Sequence, residues 1–272
     1  MAVGKSFSMP DAVARVTGTI PYAINLKLPD MLYAKVLRSP VPHAKIINID
    51  PSAAQQLPGV VAVLTVADLG QPGGPGPLSG AVMKDQPVVA GERVRYIGEP
   101  VAVVAADSVK IAEAALDLIA VEYEELPAVF EAEAAHQLAG PTLHNNFPDN
   151  CFVHAKLRRG DTEAGFAEAD EIIEETFFSP IAQHAALEPH VTAAQWDKGL
   201  LTVWSACQAP HLVREVLAKL FGIELEAVRL IVPPLGGSYG GKGHVRLEPM
   251  VSALAWKVGG RPVKLALTRA EE

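Results

Sequence analysis

The residues best placed to do chemistry lie in "RLIVPPLGGSYGGKGHVRLEP", residues 229–249. From Gly236 to Lys242 the spacing follows G-x-x-x-x-G-K, the pattern of a loop that cradles phosphate with backbone amides and a lysine. A triphosphate loop also needs Ser or Thr directly after that lysine to hold magnesium. Gly243 stands there instead and offers no oxygen, and Pro233 and Pro234 remove two backbone donors where such proteins run a continuous buried strand. The chemistry argues against a nucleotide triphosphate. Four glycines, Gly236, Gly237, Gly240 and Gly241, still need a reason. They permit positive φ and close backbone approach, and successive amides ahead of a helix suit anionic or oxo groups. A tight strand-to-helix turn needs only one or two glycines, so the loop reads as a cofactor cradle.

Other reactive side chains carry weaker signals. His184, Glu188 and His190 in "QHAALEPH" are metal-ligand types at short spacing, but no further ligand motif accompanies them and they read as structural. Cys207 has apolar or neutral neighbours and no adjacent base, as expected of a small buried thiol. The acids of "EIIEETFF" and "VEYEEL" alternate with apolar residues and read as solvated faces of strands.

The elements that must position the loop follow from periodicity. "AVRLIVPP" before it and "PVKLALTR" after "PMVSALAWKVGG" predict a β-loop-α-β unit. Upstream, "HVTAAQW" and "LLTVWSA" read as strands, and "PHLVREVLAKLFG" as a helix whose stripe Leu212, Val213, Val216, Leu217, Leu220 and Phe221 ends at Gly222. In the first half "LYAKVLRS", "KIINID", "VVAVLT" and "VAVVAA" are short β-branched runs, served by a helix "SVKIAEAALDLI" with Ser108 as N-cap. The insert "GQPGGPGPLSG", residues 70–80, is too rich in Gly and Pro to pack and predicts a mobile surface loop. Periodicity fails near residues 127–148, which predicts a linker at 131–148 between segments 1–130 and 149–272, each with its own core.

Composition narrows the function. The chain has 272 residues, a formal net charge of −8 and no Lys or Arg cluster, which argues against a nucleic-acid or anionic-membrane surface. No apolar run reaches the ~18 residues of a membrane span, and the start lacks a secretory apolar region, so a cytoplasmic protein is expected. Two cysteines, Cys151 and Cys207, supply neither a disulfide framework nor an iron–sulfur cluster. Any redox centre must be borrowed.

The chain resembles the molybdopterin-binding large subunit of the xanthine oxidase/aldehyde oxidase family, which includes carbon monoxide dehydrogenase and nicotinate dehydrogenase. The resemblance rests in the first half on "VTGTIPYAINLKLPDMLYAKVLRSPVPHAKIINIDPSAAQQLPGVVAVLT" and "VVAGERVRYIGEPVAVVAADSVKIAEAALDLIAVEYEELPAV". In the second half it rests on "ALEPHV", "VWSACQAPHLVREVLAKLFGI" and "GGSYGGK", similar to a family loop written GGGFGGK. It implies a mixed α/β fold, an a/b hammerhead domain over 1–130 followed by the N-terminal part of the molybdenum cofactor-binding domain over 149–272.

The cofactor so implied is a molybdenum–pterin, molybdopterin or its cytosine dinucleotide, whose dithiolene supplies the metal's sulfur ligands. The protein then supplies positioning and hydrogen bonds, and no side-chain metal ligand is expected. By the resemblance Gln208 donates toward a molybdenum oxo group, and Gly236, Gly237, Ser238, Tyr239, Gly240 and Gly241 form the loop that passes the cofactor. Ser238 departs from a glycine and Tyr239 from a phenylalanine in the substrate approach. Gly243 stands where xanthine-type enzymes have a substrate-contacting glutamate, so an aldehyde, N-heterocycle or similar small substrate is expected, with water as the oxygen source. Glu188 enters as a structural residue, and Lys242 is expected to be peripheral to the cofactor.

The family's general-base glutamate lies far downstream, so it is expected outside this chain. The implied partners are a chain carrying the rest of the molybdenum-binding domain, an iron–sulfur subunit with 2Fe-2S clusters and an FAD subunit, with the chain inactive alone. A non-catalytic assembly or scaffold subunit that keeps the fold is the alternative.

Overall fold

"VAVVAA" sets the architecture, because a strand whose every residue is apolar must be covered on both faces. The structure is a computed structural model that describes residues 3–81, 83–137 and 140–272. Leu138 and Ala139 of the expected linker, like Met1, Ala2 and Val82, lie outside the described residues. The chain forms two compact units, one of residues 1–126 with 184–272 and one of residues 127–183.

The first unit begins with a short helix α1 (Ala12–Val16), then strands β1 (Leu32–Arg38) and β2 (Ala44–Asp50), helix α2 (Ser52–Gln55) and β3 (Val60–Leu64). The two-residue strands β4 (Leu78–Ser79), β5 (Gln86–Pro87) and β6 (Arg93–Val94) precede β7 (Pro100–Ala106), helix α3 (Val109–Leu116) and β8 (Ala120–Glu125). Ser108 caps α3 as expected, its Oγ accepting from the Ile111 amide at 3.2 Å. After residue 184 come β9 (Val191–Asp197) and β10 (Leu200–Ser205), which follow helices α4 (Ala132–His136) and α5 (Thr162–Glu168) of the other unit in chain order. Helix α6 (Pro210–Phe221), β11 (Val228–Ile231), helix α7 (Glu248–Val258) and β12 (Val263–Ala266) complete it.

Seven strands form one mixed sheet in the order β11-β10-β9-β12-β1-β7-β3. β12 runs parallel to β1, with Leu32 opposite Val263, and β10 runs parallel to β11; the other pairs are antiparallel. A second sheet, β6-β2-β8, carries the acids of "VEYEEL" on a largely exposed strand. Within β7, Val103 and Ala105 join a core with residues of α6 and α7, while Ala102, Val104 and Ala106 join a second core with Ala112 and Ala115 of α3. The larger core mixes Leu32, Leu64 and Val103 with Leu201, Leu217 and Leu254. The expectation of separate cores on either side of residues 131–148 is thus corrected: strands from both halves share one sheet, and burying its face joins them.

Helix α6 matches its predicted stripe, with Val213, Val216, Leu217, Leu220 and Phe221 buried and Gly222 ending it at φ 62° and ψ 37°. Helix α7 is buried from Glu248 to Ala255, an all-round burial that calls for its apolar sequence.

The glycine-rich insert does not float. The Gly76 amide donates to the Leu220 carbonyl at the end of α6 at 2.8 Å, and Leu78 and Ser79 pair with Pro87 and Gln86. A Cβ at Gly74 would meet the Trp256 ring at 2.8 Å, so glycine here permits packing against an indole.

In the second unit, Asn150 ties its own neighbourhood: Oδ1 accepts from the Leu143 amide and Nδ2 donates to the carbonyls of Ala135 and Pro141. The predicted strand "EIIEETFF" is not formed. Alternation of side chains is necessary for a strand, but a partner edge must also accept the backbone, and residues 171–178 pair with none of the described strands.

Candidate functional site

The end of β10 and the loop after β11 meet because β10 and β11 are parallel neighbours, Trp204 lying opposite Ile231. Beyond β10 the chain turns through Ala206, Cys207 and Gln208 before Pro210 opens α6. The Gln208 amide donates to the Lys242 carbonyl at 2.8 Å and fixes this turn to the glycine loop. On the loop's other side, Gly236 and Glu188 bond mutually: the Glu188 amide donates to the Gly236 carbonyl and the Gly236 amide to Glu188 Oε2, each at 3.0 Å.

The glycines divide into two roles. Gly237 and Gly240 hold φ of +99° and +94°, the left-handed region that penalises a Cβ. Gly236 and Gly241 are needed for space, since a Cβ would meet Glu188 Cβ at 2.5 Å and the His184 ring at 3.0 Å. Ser238, which replaces a glycine of the resembled loop, avoids the left-handed region; Tyr239 occupies it at φ +54°, with its side chain exposed. Replacing glycine by Ser238 therefore strains nothing, and the unusual backbone falls on the next residue.

Lys242 is buried and paired. Its Nζ donates to Glu188 Oε2 at 3.0 Å, and the two side chains are only 2% and 4% exposed. Glu188 also accepts from the Ile24 amide at 3.1 Å, so one carboxylate gathers the loop, the 184–190 segment and the chain after α1. The partner of Lys242 lies 54 residues away, and no local pattern in the sequence marks the pair. The opposite charges cancel, leaving the loop with dipoles rather than net charge to present.

Two further reactive side chains are also committed. His190 ring nitrogens lie 3.0 Å from Glu272 Oε1 and 3.0 Å from the Gly241 carbonyl. Burial first, and the nearby Glu248 carboxylate second, push the Cys207 thiol up to about 11, so it stays protonated and inert. Glu248 itself accepts from Ser205 Oγ at 2.7 Å and from the Arg246 amide at 2.9 Å, where the first turn of α7 favours a negative charge.

Gln208 differs from all of these. Its side chain is exposed, its Oε1 accepts from Ser238 Oγ, and among the described residues nothing accepts from its Nε2. The site thus offers a free carboxamide donor beside a close-approach backbone, with the Cys207 thiol and the His190 imidazole withheld. That donor set suits a group that arrives with its own metal ligands and carries oxo or carbonyl acceptors.

Residues 17–127 match the aldehyde oxidase and xanthine dehydrogenase a/b hammerhead domain, and residues 143–272 the molybdopterin cofactor-binding domain. The chain is 40% identical over 264 residues to a probable xanthine dehydrogenase subunit of Bacillus subtilis, covering 96% of this chain and 34% of the relative. It is 34% identical to the nicotinate dehydrogenase large molybdopterin subunit of Eubacterium barkeri, covering 99% of this chain and 62% of the relative. Quinoline 2-oxidoreductase from Pseudomonas putida 86 superposes with a TM-score of 0.85 at 32% identity, over 100% of this chain and 35% of that one. Carbon monoxide dehydrogenase from Oligotropha carboxidovorans gives 0.86 at 31%, over 98% and 35%. The chain spans about a third of the Bacillus relative and of both solved structures. Its mixed fold, its glycine loop beside Gln208 and these matches agree: the chain belongs to the xanthine dehydrogenase and aldehyde oxidase family of molybdopterin-binding proteins.

Proposed function

We propose that the chain is part of the molybdenum cofactor-binding subunit of a hydroxylase or dehydrogenase that oxidises an aldehyde, N-heterocycle or similar small molecule with oxygen from water. The observation that supports this best is Gln208, an open carboxamide donor set against a glycine backbone whose own lysine is already paired. When bound, the molybdenum–pterin supplies two-electron redox chemistry and an oxo acceptor. Gln208 Nε2 would donate a hydrogen bond to that acceptor and so favour negative charge on it. Gly236, Gly237, Gly240 and Gly241 let the backbone pass the cofactor, with Ser238 behind Gln208. The exposed Tyr239 ring flanks the substrate's approach. Two family-implied components come from elsewhere: a carboxylate general base, carried with the rest of the molybdenum-binding domain, and an electron path through 2Fe-2S clusters to FAD on partner subunits.

Metal and pterin analysis of the purified native complex containing this chain tests the reading. Stoichiometric molybdenum is expected, and Gln208→Ala is expected to lower turnover about ten- to a hundredfold with pterin content retained, the loss of a hydrogen bond that strengthens in the transition state. A complex free of molybdenum would overturn the proposal and leave a scaffold role.

A further inference from the structure

A carboxamide is ambivalent: rotated by half a turn, it presents an acceptor where it had presented a donor, at nearly equal intrinsic energy. Gln208 is exposed, and burial does not choose between the two orientations. The choice is made by Ser238. Its Oγ lies 3.3 Å from the Lys242 backbone nitrogen, which can only donate and so fills one of the hydroxyl's lone pairs. The hydroxyl keeps its proton to donate, and the atom before it is Gln208 Oε1, which can only accept. Oε1 is thereby engaged, and among the described residues nothing accepts from the two N–H groups of Nε2. Lys242 is itself tied at both ends, its side chain paired with Glu188 and its carbonyl accepting from the Gln208 backbone amide.

We infer that Ser238 is a positioning residue that sets the polarity of the Gln208 carboxamide, so that the opening presents a donor and selects a ligand atom that accepts, such as an oxo or carbonyl oxygen, over one that donates. The inference rests on the functional reading above and deepens it. Glycine at this position would leave Oε1 without that donor, so the hydroxyl of Ser238 supplies a function that the resembled glycine loop has no atom to perform. Ser238 is 9% exposed, which limits competing water on its side of the bond.

The test uses the complete complex with three single variants, Ser238→Ala, Ser238→Thr and Gln208→Ala, and the Ser238→Ala/Gln208→Ala double variant. Molybdenum content, turnover and the electron paramagnetic resonance of the reduced metal are measured on each. Ser238→Ala is expected to retain molybdenum, lose about three- to tenfold in turnover and shift the resonance in the direction that Gln208→Ala shifts it, whereas Ser238→Thr, which keeps a hydroxyl, restores both. In the Gln208→Ala background the serine substitution is expected to change neither readout further, because its effect passes through the carboxamide. Unaltered resonance and turnover in Ser238→Ala, or effects of the two substitutions that simply add, would overturn the inference while leaving the functional reading intact. Molybdenum missing from the wild-type complex would overturn both.

Discussion

Lys242 Nζ lies 3.0 Å from Glu188 Oε2 with both side chains buried, and that pair fastens the glycine loop to the 184–190 segment. Removing the ammonium leaves a buried carboxylate with hydrogen bonds from the Gly236 and Ile24 amides and the more distant charge of Lys264. Breaking one partner of such a pair is expected to destabilise by about 3–5 kcal/mol, because the remaining charge stays desolvated. Lys242→Ala should therefore lower the thermal midpoint of the complex, and Lys242→Met combined with Glu188→Gln should recover part of it. A triphosphate loop would behave differently, losing nucleotide affinity. ATP and GTP binding measured beside the melting curves checks that distinction, and no nucleotide binding is expected in any variant.

Residues 171–181 expose Ile172, Ile173, Phe177, Phe178 and Ile181 on backbone with no strand partner among the described residues. An apolar run with open backbone groups invites pairing with another chain. The chain expressed by itself is expected to self-associate, with Phe177→Ser/Phe178→Ser reducing the effect. Size-exclusion chromatography with light scattering reads this directly. A monodisperse monomer of the unaltered chain at micromolar concentration would refute it.

These two cases show what the sequence does and does not reveal. The stripe of α6, its Gly222 stop and the Ser108 cap are local, and a 3.6-residue period or a cap residue declares them without reference to the rest of the chain. The glycine loop was visible as a close-approach backbone for the same reason. The Glu188–Lys242 pair and the Ser238–Gln208 bond join positions 54 and 30 residues apart, and nothing local in a lysine or serine names a distant partner. Residues 70–80 misled for a different reason: their composition suits a flexible loop, yet glycine also serves where a backbone must lie against Trp256. "EIIEETFF" has the right alternation and lacks only an edge to pair with, which no single segment can specify.

Glu271 and Glu272 connect acidity to the packing of the final turn. Burial pushes both carboxyls up, but hydrogen bonds outweigh it, from the Thr268 amide and hydroxyl and Lys35 for Glu271, and from the His190 amide and ring for Glu272. Both therefore sit below the ordinary glutamate value of 4.5. A carboxyl held lower in the fold than in the unfolded chain contributes stability above the ordinary value, and that contribution disappears as pH falls through the folded value. Stability of the complex should decline below pH 4.5, the ordinary value both groups leave behind. Glu271→Gln and Glu272→Gln should each weaken the complex at neutral pH and flatten that acid limb. Denaturation midpoints across the acid range decide it, and an unchanged slope in both variants would remove these carboxyls from the account.

Gly237 and Gly240 should resist substitution for backbone reasons that are independent of any charge. Both lie in the left-handed region, at φ +99° and +94°, where an L side chain crowds its own carbonyl. At Gly237 a Cβ would also stand 3.3 Å from Ala186 Cβ, so strain is compounded by contact, whereas at Gly240 the nearest atom is His184 Nε2 at 3.8 Å. Alanine at either position is expected to cost about 1–3 kcal/mol, with Gly237→Ala the worse because the loop has less room to yield. Since Ser238 hangs between the two glycines, a shift of either also moves the hydroxyl that orients Gln208. The expected result in the complex is reduced molybdenum occupancy for both variants, larger for Gly237→Ala, and a further loss of turnover per molybdenum bound. Gly165→Ala makes the control, a glycine without positive φ and with open space around it, where neither quantity should move. Full occupancy and full turnover in Gly237→Ala and Gly240→Ala would show that the loop's left-handed backbone has no part in holding the cofactor.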